Sequence, residues 1–177
     1  FRSNYSLNLP IISDTNTLTN RYDYKIFNEF FENNITSFFI SLSSANSITD
    51  DDIKLSERLF IPSRRLRGFE SGKVGPKDGA DFIGGNYSAT FNAQSNIPGI
   101  FENFQNLDAV MFFEAGSLWG VDYDSSLDDG GKLRSSIGIG VDWFTVVGPL
   151  NFTLSEVITK EDNDIAESFR FNIGTTF

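Results

Sequence analysis

Residues 137–155 read Ile137-Gly138-Ile139-Gly140-Val141-Asp142-Trp143-Phe144-Thr145-Val146-Val147-Gly148-Pro149-Leu150-Asn151-Phe152-Thr153-Leu154-Ser155. Ile137, Ile139, Val141 and Trp143 alternate with Gly138, Gly140 and Asp142; beyond Gly148-Pro149, Leu150, Phe152 and Leu154 alternate with Asn151, Thr153 and Ser155. A period of two is the strand signature, because successive side chains of a strand point to opposite faces, and Gly-Pro between two such runs marks a tight turn. The stretch predicts two antiparallel strands, each with an apolar and a polar face.

The same alternation extends in both directions and gives eight segments. Toward the C-terminus, Phe169, Phe171, Ile173, Thr175 and Phe177 oppose Arg170, Asn172, Gly174 and Thr176. Toward the N-terminus, residues 108–119 are nearly apolar on both faces and carry a lone Glu114, while Tyr87, Ala89, Phe91 and Ala93 alternate with Ser88, Thr90, Asn92 and Gln94. Phe38, Ile40 and Leu42 mark another segment. Residues 18–30 set Leu18, Tyr22, Tyr24, Ile26 and Phe30 against Arg21, Asp23, Lys25 and Glu29, and residues 1–9 set Phe1, Tyr5, Leu7 and Leu9 against Arg2, Asn4, Ser6 and Asn8. The connections alternate in length. Asn33-Asn34 and Gly148-Pro149 are tight, and Pro98-Gly99 opens a somewhat longer turn, whereas 47–85, 120–133 and 159–167 are long and hold most of the acidic residues. Short turns at one end of a sheet and long loops at the other describe an outer-membrane barrel, with lipid outside and a wet lumen inside.

Composition narrows the chemistry. The 177 residues suffice for one domain, and with no Cys and no His the chain cannot form disulfides, thiolate nucleophiles, Cys/His zinc sites or a Ser-His-Asp arrangement. A net charge of −10 disfavours a nucleic-acid surface, which needs cations to neutralise phosphate. No run of 18 apolar residues could form a membrane-spanning helix, but a tilted spanning strand needs only ~9–11 residues. Mean hydropathy of −0.19 with 19 Phe fits such strands, and composition alone fits a soluble β-sandwich equally well. The opening on Phe1, without Met or a signal peptide, leads us to expect a segment of a longer precursor or a trimmed mature chain.

The longest connection contains Leu66-Arg67-Gly68-Phe69, then Gly75-Pro76, then Gly84-Gly85-Asn86, and the nearly apolar strand contains Phe112-Phe113-Glu114-Ala115-Gly116. In this order, with Gly148-Pro149-Leu150 and the closing residues 169–177, the chain resembles the BamA-type outer-membrane assembly barrels, the bacterial surface antigen family, over essentially its whole length. Leu66 to Phe69 is similar to that family's V/I-R-G-F/Y loop motif, and residues 112–116 to its F-x-D-x-G strand motif, with Glu114 standing where the family has Asp. The resemblance implies an all-β fold, an antiparallel transmembrane barrel of which residues 1–177 supply the last eight of sixteen strands. Periplasmic repeats and the first strands would lie upstream.

It further implies that the loop at about 47–85 folds into the lumen, where Arg67 meets Glu114. A guanidinium can hold a carboxylate bidentately, and desolvation strengthens the hold; a wet lumenal carboxylate is the plain alternative for Glu114. The terminal strand at about 167–177, with Phe169, Phe171, Ile173, Gly174 and Phe177, would be an assembly signal and one side of a seam that opens sideways. An edge strand with free N–H and C=O groups is a template for strand addition. The implied role is a non-enzymatic factor that folds and inserts β-barrel clients in a Gram-negative outer membrane, without ATP, metal or cofactor. Implied partners are unfolded barrel clients, outer-membrane lipids and lipopolysaccharide, and periplasmic accessory lipoproteins; nucleic acid is not among them. A TamA-type translocation barrel and a self-contained eight-stranded anchor or adhesin are the alternatives. Gly138-Ile139-Gly140 lacks the third glycine and helix of a dinucleotide site, and the acids at 122–129 miss the EF-hand spacing, so they read as solvated loop charge.

Overall fold

The computed structural model describes residues 2–7, 16–101, 104, 106–128, 131–146 and 148–174, with side chains described for only Arg2 and Asn4 in the first segment. Ten strands follow in chain order: β1 (Arg2–Leu7), β2 (Thr17–Asn28), β3 (Thr36–Ser47), β4 (Lys77–Asp78), β5 (Asp81–Phe82), β6 (Tyr87–Asn96), β7 (Leu107–Trp119), β8 (Arg134–Thr145), β9 (Gly148–Thr159) and β10 (Phe169–Ile173). Eight of them form one antiparallel meander in the order β1-β2-β3-β6-β7-β8-β9-β10, and β4 and β5 make a small hairpin inside the longest loop. β2, β3 and β6 to β9 run 10–13 residues, the length a tilted strand needs to cross hydrocarbon. β1 and β10 are the two edges. Among the described residues they do not pair, so these residues form an open sheet rather than a closed eight-stranded barrel.

The alternation read from the sequence sorts the faces. Tyr24, Ile26, Ile40, Leu42, Met111, Phe113, Ile137, Ile139, Leu154, Phe169 and Phe171 all stand exposed on one side, a face that suits acyl chains and would be costly in water. Tyr87 and Trp119 stack at 5.9 Å where β6 and β7 meet the long loops, and Trp143 and Phe144 sit at the opposite end of β8, near the Gly148 turn. Outward aromatics at the two ends, Tyr87 and Trp119 at one and Trp143 at the other, stand where a membrane barrel has its aromatic girdles.

The other face departs from the expectation of a wet lumen. Its centre is dry: Ala45 of β3 and Leu118 of β7 pack with Ile53, Leu59, Ile61, Leu66, Phe69 and Val74 of the long loop. The inner side of β7 carries Val110, Phe112 and Leu118 because it is the floor on which the loop rests. The second segment also ends earlier than its alternation suggests, at Asn28 rather than Phe30. The chain turns at Asn33 (φ 61°), and the fully buried Asn34 donates to Asn96 O (2.9 Å) and Ser95 Oγ (2.8 Å) at the end of β6. Phe1, Leu9, Thr175 and Phe177 of the expected terminal strands lie outside the described residues.

Candidate functional site

The loop between β3 and β6 folds back along the inner face and is fastened at three levels. Nearest the strand ends, Leu59 and Gly85 exchange backbone hydrogen bonds (2.8 and 3.0 Å). A Cβ on Gly85 would stand 2.6 Å from Trp119 O, so glycine is what lets the returning chain lie against the end of β7. Close by, Arg58 is buried, donates to Ile53 O (3.3 Å) and forms an ion pair with Asp122, whose other oxygen accepts the Ile53 N–H (2.9 Å). Burial by itself would raise the Asp122 pKa. The Ile53 N–H, the Asn86 side chain and the Arg58 charge outweigh it and hold the carboxyl below its usual range.

The second level is a buried hub. Asp164, from the connection before β10, takes Arg134 Nε at 2.9 Å and Nη2 at 3.2 Å, the Glu161 N–H at 2.7 Å and the Gly75 N–H at 3.3 Å. Neighbouring Lys132 is bonded to Asp128 and Glu161, which raise its pKa in that order.

The third level is the loop tip, residues 66–69. Leu66 and Phe69 point into the core, which turns Arg67 toward β7. Its Nε donates to Glu114 Oε1 at 2.7 Å, Nη2 lies 2.6 Å from the same oxygen, and its backbone N–H donates to Oε2. Nη2 also reaches Gln94 Oε1 at 3.0 Å, and the guanidinium carbon stands 3.5 Å from the centroid of the Phe112 ring. Glu114 is 0% exposed, so the wet-carboxylate alternative does not describe its surroundings. One carboxylate thus serves both the backbone and the side chain of Arg67. Gly68 (φ 92°) follows, so close to the sheet that a Cβ would stand 3.0 Å from Ser136 Cβ. Ser136 Oγ donates to Arg67 O, and Asn92 donates to Arg65 O at 2.9 Å. Gly116, the last position of the strand motif, leaves room for Ile61, whose Cδ1 would be 3.2 Å from an added Cβ. The six residues Leu66, Arg67, Gly68, Phe69, Glu114 and Gly116 are thus brought together, with Phe112 beneath Arg67.

The terminal-strand residues stand apart from this cluster. Phe169, Phe171 and Ile173 face outward on β10, Gly174 adopts φ 109° and donates to Pro149 O at 2.8 Å, and Phe177 lies outside the described residues. The backbone just before β10, however, is joined to the loop tip. Glu70 N–H donates to Ile165 O (2.9 Å), Ile165 N–H to Lys73 O (3.1 Å) and Glu167 N–H to Gly68 O (2.9 Å). Sequence reasoning missed Arg58, Arg134, Asp122 and Asp164 as structural partners. The acids lie inside runs read as solvated charge, and the one available signal was that Arg134 precedes Ser135-Ser136 at the start of a strand. Among the described residues no group of carboxylates is arranged to hold a metal ion. What the arrangement does physically is fix a loop in one register across the inner face of the sheet.

The comparisons with known proteins bear on family and fold. The sequence model of the Omp85 superfamily domain matches residues 1–177. The outer membrane protein assembly factor BamA of Neorickettsia risticii is 26% identical over 151 residues, covering 84% of this chain and 20% of its own length. The BamA of Neisseria meningitidis serogroup B is 31% identical over 140 residues, covering 63% and 17%. The chain therefore spans about a fifth of the length of these curated relatives. The crystal structure of BamA from Haemophilus ducreyi lacking POTRA domains 1–3 superimposes with a TM-score of 0.83 at 25% identity, over 96% of this chain and 37% of that one.

Proposed function

The chain belongs to the Omp85 superfamily, and from that premise we propose that it is the C-terminal half of a sixteen-stranded barrel that folds and inserts β-barrel clients in the outer membrane. It is an outer-membrane β-barrel segment, with the exposed apolar face of the sheet against lipid. In the proposed mechanism no ATP, metal or cofactor takes part. The edge of β10 pairs weakly with the barrel's first strand, opens, and offers its N–H and C=O groups to a client strand, which gains hydrogen bonds that it cannot leave unmade in hydrocarbon. Clients, lipids, lipopolysaccharide and periplasmic lipoproteins are the partners this reading implies.

The observation that carries it lies on the inner face of the sheet. There the long loop is fastened by an ion pair between Arg67 and the fully buried Glu114, in a sheet whose opposite face is apolar and exposed. The test is reconstitution of the full-length protein in phospholipid vesicles, with an unfolded eight-stranded client added from urea and its folded fraction followed by heat-dependent gel mobility. Client folding should run clearly faster than in vesicles holding an unrelated porin. Equal rates would overturn the proposal.

A further inference from the structure

Arg170 is the second residue of β10, on its inner face opposite Thr153 of β9. Its guanidinium donates from Nη1 to Ser63 O at 3.1 Å and from Nη2 to Phe69 O at 2.7 Å, while Nε is held by Glu167 Oε2 at 2.8 Å. Those two carbonyls flank the loop tip, one before Leu66 and one at its end, so a single side chain on the terminal strand brackets the segment whose Arg67 is fixed to Glu114. The arginine fork is the group suited to this, because its donors lie in one plane and diverge toward separate acceptors. The side chain is only 14% exposed, which limits competition from water.

The tip therefore spans the inner face as a strap. Arg67 holds β7 through Glu114, Arg67 O and the close approach of Gly68 hold β8 through Ser136, and Arg170 holds β10. β10 itself has five residue pairs with β9 and none on its other side among the described residues. The backbone bonds at 165–167 stop just short of it, so Arg170 is the side chain of β10 that reaches the tip directly.

The geometry points to Arg170 as a positioning residue that couples the loop tip to the seam strand: while the tip sits on Glu114, Arg170 keeps β10 closed, and release of the tip frees β10 to open. This rests on the seam reading given above for its purpose, but the coupling is a property of the barrel alone and can be measured with no client present.

The test is hydrogen exchange read by mass spectrometry on the full-length barrel in lipid nanodiscs, comparing the parent with Arg170→Gln, Glu114→Gln and the double variant. Losing two charge-assisted bonds predicts that R170Q raises exchange of the 169–173 amides by about tenfold or more, while the Leu59 and Gly85 amides stay as in the parent. E114Q should also raise exchange at 169–173, but by less than about twofold once Arg170 is already Gln, since the path through Arg170 is then cut. A response of R170Q within twofold of the parent would overturn the inference. So would an effect of E114Q on β10 that is the same with and without Arg170, which would assign the coupling to the backbone bonds at 165–167. If R170Q does not fold, Arg170→Lys, which keeps the charge but cannot reach both carbonyls, should give a smaller rise, and parent-like exchange there would also refute the tie. Coupled exchange in a protein that fails to speed client folding would reject the assembly reading and leave the tie standing; uncoupled exchange in a protein that does speed it would do the reverse.

Discussion

Truncating each side of the loop-tip ion pair should have unequal consequences, and the inequality follows from burial. Arg67→Ala leaves the Glu114 carboxylate 0% exposed, with the backbone N–H of residue 67 as its remaining partner from this pair. Breaking a buried pair from one side costs roughly 3–5 kcal/mol. The Arg67 side chain is 15% exposed, so water can reach part of the vacated space, and about 3 kcal/mol is the better figure. Glu114→Ala instead leaves a guanidinium that keeps Gln94 at 3.0 Å and the face of Phe112, with some access to water. That should cost about 1–2 kcal/mol, a cation over an aromatic ring being worth up to ~2 kcal/mol when desolvated. Thermolysin cleavage within residues 58–75 of the folded barrel reads the difference, since cleavage tracks the population of open loop when reclosing is the faster step. R67A should be cut on the order of a hundredfold faster than the parent, and E114A roughly tenfold faster. Cleavage of R67A within threefold of the parent, or faster cleavage of E114A than of R67A, would refute the reasoning.

Other consequences follow from the same contacts. Asp164→Ala removes a carboxylate with a fully buried side chain from Arg134 and two backbone N–H groups; it should lower barrel stability by about 3–5 kcal/mol, seen as a lower midpoint of heat-dependent gel mobility, with Asp164→Asn falling between. Gly68→Ala places a side chain at φ 92° and 3.0 Å from Ser136 Cβ, and should cost about 1–3 kcal/mol, visible as faster thermolysin cleavage at the tip with unchanged exchange at Gly85. The Asp122 carboxyl is held below its usual range in the folded state. A depressed carboxylate stabilises the fold above its unfolded pKa of about 3.9 and loses that contribution as pH falls through the lower folded value. Exchange at Ile53 should therefore be flat from pH 7 to about 5 after correction for intrinsic rates and rise only below that; a rise beginning at pH 6 would contradict the assignment.

The strands were legible because each faces two different solvents. Lipid on one side selects Ile137, Ile139 and Leu154, the interior on the other selects Ser136, Thr153 and Ser155, and the period of two survives without any knowledge of neighbours. The ends of the loops were legible for the same reason, as breaks in that period. The dry interior was not. Leu66 and Phe69 lie among Arg64, Arg65, Arg67 and Glu70, so their local context reads as surface, and only the 47-residue separation between Arg67 and Glu114 closing in space makes them core. The ion-pair partners of Arg58 and Arg134 lie 64 and 30 residues away in sequence, and the carbonyls that Arg170 reaches lie 101 and 107 away. An ion pair at such a distance leaves no periodic trace, and Asp122 and Asp164 look like any other loop acid until the fold buries one and bonds the other. Nearly apolar β7 was the visible sign, an inner face where Val110, Phe112 and Leu118 flank a lone Glu114 and have to be covered by something.

That the covering is held by charges as well as by apolar packing has a physical reason. Leu66, Phe69, Val74 and Ile61 against Leu118 and Ala45 give the loop its affinity for the sheet, but apolar contact is non-directional and tolerates sliding by a residue or more. The Arg67 fork on Glu114, the Ser136 hydroxyl on Arg67 O and the Arg170 fork on two carbonyls each allow a single register, because Glu114 on β7, Ser136 on β8 and Arg170 on β10 are fixed points on three different strands. Buried pairs of this kind add little net stability over apolar replacements of the same shape. Their effect is to make the alternatives costly, since each displaced arrangement leaves Glu114 or a guanidinium buried and unpaired. A loop tip so held has one closed position and loosens when any of its own ties is lost, and that is the behaviour a device must have if the state of its interior is to set the state of its edge.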